Sequence, residues 1–278
     1  KVKFNGTNAL VKSATPAEIV AYVPISAGSG VISVETPAGV ASGPDFTYFY
    51  TATVTTLAGD GSQGYYDAPG LAAKFNFPAG LTVDQSDNII VGDRDNYRIR
   101  KITSGGVVST LMGSGLNQDT DGVGLAADLA RPNGITLDQS GNYYFTVITS
   151  NVIKKATPDF VVTTYSGAPS SDLLDGPKDQ SGFNFPTSLA FNSKGELLVA
   201  DLGNNRIRQV NKDGSVTTLA GNDERATIDG VGLNASIEGP WGLFVDASDN
   251  IYFSDFGAHV RKITPTGVVT TITGSAGR

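Results

Sequence analysis

At 278 residues with a formal net charge of -7, the chain is long enough for one large all-β domain and a smaller one, and its acidity argues against a nucleic-acid partner or attraction to an anionic membrane surface. No Cys and a single His exclude disulfides, thiolate zinc sites and multi-histidine centres; no metal site and no cofactor is assigned, and a Ca²⁺ ion held in an Asp loop stays open. Gly is the commonest residue at 34, the composition of short strands joined by tight turns, and no apolar run approaches the roughly 20 residues that span a bilayer.

Residues 1–50 carry no internal repeat. Val2-Lys3-Phe4-Asn5-Gly6, Ile19 to Val23-Pro24, Val31-Ile32-Ser33-Val34-Glu35-Thr36-Pro37-Ala38-Gly39 and Phe46-Thr47-Tyr48 are β-forming runs divided by turn residues. They resemble the later strands of an IPT/TIG domain, an immunoglobulin-like sandwich common in bacterial surface proteins. The resemblance implies a partial IPT/TIG-like domain over 1–50, its opening strands lying outside this chain, and an extracellular or cell-envelope location, secreted or surface-anchored. Lys1-Val2-Lys3-Phe4 is no signal peptide, so that location rests on domain type.

From residue 51 the sequence repeats every 54 residues. Pro78, Pro132, Pro186 and Pro240 recur at that spacing, as do Asp67, Asp121, Asp175 and Asp229; Gly59, Gly113, Gly167, Gly221 and Gly274 each close a Thr-x-x-Gly segment, with one residue lost between Asp255 and His259. Periods of this length signal solenoids, arrays or propellers. Each repeat holds four short apolar segments, in the first case Gly80 to Asp84, Asn88 to Asp93, Arg98 to Ile102 and Val107 to Met112, which is the content of a four-stranded blade. Ile89-Ile90-Val91, Tyr143-Tyr144-Phe145, Leu197-Leu198-Val199 and Ile251-Tyr252-Phe253 are continuous apolar runs, expected of inner strands buried between neighbouring blades.

Asp93-Arg94-Asp95-Asn96-Tyr97-Arg98-Ile99-Arg100-Lys101-Ile102 and Asp201-Leu202-Gly203-Asn204-Asn205-Arg206-Ile207-Arg208 resemble the NHL repeat, as does Asp121-Gly122-Val123-Gly124-Leu125-Ala126-Ala127 leading to Arg131-Pro132-Asn133-Gly134. The resemblance implies an all-β, NHL-type β-propeller over residues 51–278, in a family usually six-bladed and diverse in function. Blades are expected at about 78–113, 132–167, 186–221 and 240–274. Residues 53–58 match the outermost strand of a blade with no inner strands before them. They predict an orphan strand whose partner blade lies beyond Arg278, and hence an open arc from a parent of six.

Comparison between repeats sorts the candidate residues. Asp93 with Arg98, and Asp201 with Arg206, are expected to be structural ion pairs: the second repeat replaces both members at once, with Val147 and Val152, and the fourth sets Asp255 opposite His259, as a buried pair requires. The recurrent Asp67, Asp121, Asp175 and Asp229 are expected to hold their loops through Asx bonds. Departures from the repeat are the better guide to function. Trp241 stands where the other repeats have Ala79, Asn133 and Thr187, at one mouth of the central channel, to stack on a ligand ring or to fill the channel. Loops of the same face carry Arg94, Tyr97, Thr149, Asn151, Phe256 and His259 with Tyr65 and Tyr66, groups suited to ligand recognition or to ordinary loop packing.

These residues predict a noncatalytic module that binds a glycan or protein on the propeller face. A second reading is a hydrolase or lyase of the gluconolactonase type, whose metal is held by Asp, Asn and Glu. The innermost strands, such as Gly80-Leu81-Thr82-Val83, carry no carboxylate, so that site would lie in further blades. A third is a structural spacer. Any imidazole chemistry would have to run through His259.

Overall fold

The computed structural model describes residues 1–24, 26–47, 54–168 and 173–274, divided into two compact units, Lys1–Thr55 and Thr56–Arg278. The first unit contains β1 (Val2–Phe4), β2 (Thr7–Asn8), β3 (Leu10–Ala14), β4 (Ile19–Tyr22), β5 (Gly30–Thr36) and β6 (Gly39–Phe46). One sheet runs β2-β1-β5-β6, and β3 pairs with β4 as a separate hairpin. Asn5 at φ 47° and Gly6 at φ 80° make the tight turn from β1 to β2. Phe4 and Phe46 meet edge to face at 5.1 Å, in a small core with Val2, Ala27 and Ile32.

The second unit is built from four antiparallel blades. The first comprises β7 (Pro78–Val83), β8 (Ile89–Asp93), β9 (Arg98–Ile102) and β10 (Val108–Met112); a short β11 (Gly122–Val123) precedes the second, β12 (Pro132–Leu137), β13 (Tyr143–Val147), β14 (Val152–Ala156) and β15 (Val161–Ser166). The third comprises β16 (Pro186–Phe191), β17 (Leu197–Asp201), β18 (Arg206–Val210) and β19 (Val216–Ala220); after β20 (Gly230–Val231) the fourth is β21 (Pro240–Val245), β22 (Ile251–Asp255), β23 (His259–Ile263) and β24 (Val268–Gly274). Within each blade the strands pair in chain order, and β11 and β20 add a fifth strand beside β15 and β24. Innermost strands β7, β12, β16 and β21 lie side by side in that order.

Hairpin turns follow from Asx chemistry. Asp84 Oδ1 accepts the N–H groups of Ser86 and Asn88, Asp138 and Asp246 repeat this in blades two and four, and Asn192 Oδ1 does the same for Lys194 and Glu196 in blade three. The cores lie between blades. Ile90, Ile99 and Met112 of blade one pack on Ile135, Phe145 and Val147 of blade two; Tyr144 and Ile153 pack on Leu189, Leu197 and Val199; Leu198, Ile207 and Ala220 pack on Ile251, Phe253 and Ile263. At ~1.5–3 kcal/mol for each large apolar side chain fully buried, these junctions outweigh any single polar contact in the unit.

One expected element lacks a partner. Residues 54–58 form no ladder and residue 53 lies outside the described residues, so the orphan strand expected at 53–58 has no partner blade among the described residues. A strand needs a ladder partner, and among the described residues none pairs with this segment; Ala58 packs instead against the Ala68, Ala73 and Val91 cluster of blade one.

Candidate functional site

The expected ion pairs are replaced by others two residues along. Asp93 faces Arg98 in the ladder, and Asp201 faces Arg206. Yet Asp93 Oδ2 accepts from Arg100 Nη1 at 2.6 Å, and Asp201 Oδ2 from Arg208 Nη1 at 2.7 Å. Arg98 donates to the Asn96 and Ser114 carbonyls; Arg206 donates to those of Asn204 and Asn222 and reaches Asp223. Alternate residues share a strand face, so spacing alone does not choose between Arg98 and Arg100. Burial does: the side chains of Arg100 and Arg208 are fully buried, and a buried guanidinium requires a carboxylate.

Those arginines also correct the expected role of the recurrent Asp. Asp67 meets Arg100 at 2.6 Å, Asp175 meets Arg208 at 2.8 Å and Asp229 meets Arg261 at 3.0 Å, while in blade two Lys154 takes the position and reaches Asp121 at 2.6 Å and Asp119 at 2.7 Å. Each recurrent Asp also accepts the N–H and hydroxyl of a Thr on the outermost strand: Thr110, Thr164, Thr218 or Thr271. The carboxylate thus clamps its loop to the third and fourth strands rather than closing an Asx turn of its own. Burial pushes the Asp93 and Asp201 carboxyls above the ordinary range, against the hydrogen bonds and arginine charge that favour their ionised forms.

In blade four, His259 is 8% exposed. Its backbone N–H and its Nδ1 both contact Asp255 Oδ1, at 3.0 and 3.3 Å, while Arg261 Nη1 lies 3.9 Å from Asp255 Oδ2.

Exposed side chains gather at the axis. The starts of the innermost strands border a cavity of about 420 Å³ lined by Phe77, Arg94, Asn133, Thr187, Ser188 and Trp241, with no carboxylate or imidazole in its wall. A larger hollow of about 740 Å³ lies beside Leu71 and Phe75 and shares Phe77 and Pro78 with the first, but contains neither Arg94 nor Trp241 in its wall. Trp241 is 42% exposed and stacks on Phe256 with centroids 5.7 Å apart. Its carbonyl accepts from Thr187 Oγ1 at 2.8 Å, and the Thr187 carbonyl accepts from Asn133 Nδ2 at 2.6 Å, which ties successive innermost strands together.

Phe77, Arg131 and Phe185, each just before the proline that opens an innermost strand, adopt φ 57°, 62° and 50°. A bulky residue in the left-handed region is strained by about 1–3 kcal/mol, and the following proline further narrows its choices. Neighbouring blades hold these residues in place. Asn151 Oδ1 accepts the Phe185 N–H at 2.9 Å, Asn205 Oδ1 does the same for Gly239, and Asp95 contacts the Arg131 Nε at 3.3 Å. Arg94 lies over the Phe77 ring at 4.0 Å and contacts Asp95 at 3.2 Å.

Of the sequence candidates, Trp241, Phe256 and Arg94 come together at the mouth. Tyr65 lies elsewhere, hydrogen-bonded to Thr110 with Arg98 over its ring at 3.8 Å, and Tyr66 pairs through its backbone with Lys74. Tyr97 and Asn151 occupy matching left-handed turn positions, and Thr149 donates to the Ala130 carbonyl. Phe77, Arg131 and Phe185 were missed. The Phe-Pro pairs at 77–78 and 185–186 were the available signal.

Residues 45–275 match the family model described as SMP-30/Gluconolactonase/LRE-like region. The chain belongs to that family. Teneurin-3 of Danio rerio is 28% identical over 211 residues, covering 65% of this chain and 8% of the relative. NHL repeat-containing protein 2 of Bos taurus is 27% identical over 232 residues, covering 69% of this chain and 31% of the relative. A catalytically inactive virginiamycin B lyase from Staphylococcus aureus, solved with quinupristin, shares the fold at a TM-score of 0.52 and 18% identity, over 89% of this chain and 64% of that one. This SMP-30/gluconolactonase/LRE-like chain therefore spans less than a third of those two curated relatives, and its NHL-type propeller character stands. The family match does not reach residues 1–44. Among the described residues of the family member, no helix is long and apolar enough to cross a membrane.

Proposed function

We propose that the chain is a noncatalytic recognition module, extracellular or in the cell envelope, that binds a glycan or protein at the axial mouth of its propeller, with the first unit as an IPT/TIG-like stalk. The observation that carries this reading is a cluster of half-exposed aromatics: Phe77, held in strained backbone, and Trp241 in the wall of a cavity of amide, hydroxyl and guanidinium groups, with Phe256 stacked on Trp241. Exposed rings of this kind offer a stacking surface, and convergent polar groups orient what stacks.

A glycan and protein array on the full chain, run beside Trp241→Ala, tests it. Binding that falls by at least about tenfold in the variant, ~1.4 kcal/mol, supports the reading. Binding unchanged in the variant removes the mouth from it, and no binding at all favours a spacer.

A hydrolase or lyase is the second reading. Family membership and the lyase fold neighbour support it, whereas among the described residues no three His, Cys, Asp or Glu side chains are gathered to hold a metal. Metal-dependent turnover of a lactone or a cyclic ester-linked peptide, without glycan or protein binding, would replace the first reading by this one.

A further inference from the structure

We propose that the ligand of the axial mouth is an acidic saccharide, a sugar chain bearing carboxylate or sulfate groups; this rests on the recognition reading and narrows it. The starting point is a charge imbalance. In a chain of net charge -7, the side chains of Arg100, Arg208 and Arg261 each face two carboxylates, Arg206 and Arg225 one each, and Arg98 spends its guanidinium on the Asn96 and Ser114 carbonyls. Arg94 and Arg131 share the single carboxylate of Asp95. One positive charge is left uncompensated there.

The pair is a departure from the repeat. Ile148, Leu202 and Phe256 stand where blade one has Arg94; Thr149, Gly203 and Gly257 stand where it has Asp95; and Phe77, Phe185 and Gly239 stand where blade two has Arg131. A structural need common to all blades would recur in them, as the Asp clamp does. Both guanidiniums are also positioned in advance: Arg94 is sandwiched between the Phe77 ring and Asp95, and Arg131 extends from a fixed left-handed backbone. Arg131 keeps 41% of its side chain exposed, and its buried Nε makes no hydrogen bond despite lying 3.3 Å from Asp95. Unspent guanidinium donors beside a compensated one suit a planar anionic group.

Arg94 lines the same cavity as Trp241, Asn133, Thr187 and Ser188. Asn133 Nδ2 and Thr187 Oγ1 are spent on neighbouring strands, but Asn133 Oδ1 has no hydrogen-bond partner; a pyranose has one apolar face and a rim of hydroxyls, so a stacking ring, that acceptor and an adjacent cation together match a charged sugar. The carboxylate side chains of an acidic peptide would use the guanidiniums but bring no donor to that oxygen.

The test is titration calorimetry of the full chain with three probes: neutral gluco-oligosaccharides, oligogalacturonates of equal length and a poly-glutamate peptide. Oligogalacturonate is expected to bind at least about tenfold more tightly than the neutral sugar, and to weaken as salt rises from about 50 to about 500 mM. Arg131→Gln is expected to weaken oligogalacturonate binding by at least about tenfold and so remove the preference, and Arg131→Lys to keep part of it. Equal binding of neutral and acidic sugars, with Arg131→Gln silent, overturns the acidic assignment and leaves the recognition reading standing. Binding of poly-glutamate alone overturns the saccharide; binding of none of the probes, nor of any glycan or protein on the array, overturns both. Should Arg131→Gln unfold, the wild-type preference among the three probes decides.

Discussion

Arg208 is fully buried and serves two carboxylates and two carbonyls: Asp201, Asp175, Gly182 and Leu174. Replacing it with Met leaves Asp201, itself 0% exposed, without its cation. Stranding a buried charge costs about 3–5 kcal/mol, an upper limit here because Asp201 can take a proton instead. Urea unfolding of Arg208→Met should show a loss approaching that range; a loss under about 1 kcal/mol, the value of an exposed pair, would mean that the clamp is not a main support of its blade. Blade two supplies a control, since it carries Val147 and Lys154 at these positions. The double change Asp201→Val with Arg208→Lys should recover part of the loss. At this scale the sequence showed that Asp93 and Asp201 belong to a conserved internal pattern of charge, but not which arginine they use, because Arg98 and Arg100 differ in burial rather than in strand face.

The hairpin between the first two strands of each blade was legible because its chemistry is local. Asp138 accepts the N–H groups of Ser140 and Asn142 and the Asn142 side chain. Partial burial pulls its carboxyl upward, but these bonds and the charge of Lys155 outweigh that, so it sits below the ordinary range. A depressed folded-state pKa gives stability that is complete above the unfolded value, near 3.9, and lost as pH falls through the folded one. Asp93 and Asp201 act in the opposite sense: with raised values they favour the folded chain as pH falls through their window. Asp138→Asn removes one term of the first kind and keeps the turn, since Asn192 fills the same place in blade three. Its unfolding free energy should therefore fall less steeply than wild type between about pH 5 and pH 2, measured by urea titration at each pH. Parallel curves would show that the Asp138 bonds persist in the unfolded chain or contribute nothing. The strand-like pattern of 53–58 is local too, whereas a strand exists only with a ladder partner, which the described residues do not supply.

Period and turn chemistry made the four blades readable, but the mouth depends on how closely whole blades approach, which no single repeat records. Gly80 shows this. A Cβ there would lie 2.3 Å from the Asn133 carbonyl oxygen and 2.7 Å from the Gly134 Cα, all backbone of the next innermost strand, so β7 and β12 can meet this closely only without a side chain. The equivalent Gly242 of blade four would place its Cβ no nearer than 3.4 Å, against the Ser254 hydroxyl. In blade three, Ser188 occupies the position, and its hydroxyl accepts the Leu243 N–H at 3.2 Å; that junction accommodates a Cβ. Neither glycine has a left-handed φ, so strain in the substituted residue itself does not enter. Gly80→Ala must displace one blade against another and should cost about 1–3 kcal/mol, more than the ~0.4–1 kcal/mol gained by restricting the unfolded chain. At Gly242 only the second effect remains, and Ala there should be neutral or slightly stabilising. Because Gly80 and Gly134 line the cavity with Arg94 and Trp241, the displacement should also weaken any ligand held at the mouth; Gly242 lines it too, so Gly242→Ala adds one methyl to the wall without moving a blade. Thermal unfolding and ligand titration of the two variants side by side distinguish this from a general intolerance of alanine in the innermost strands, which would make both variants equally unstable.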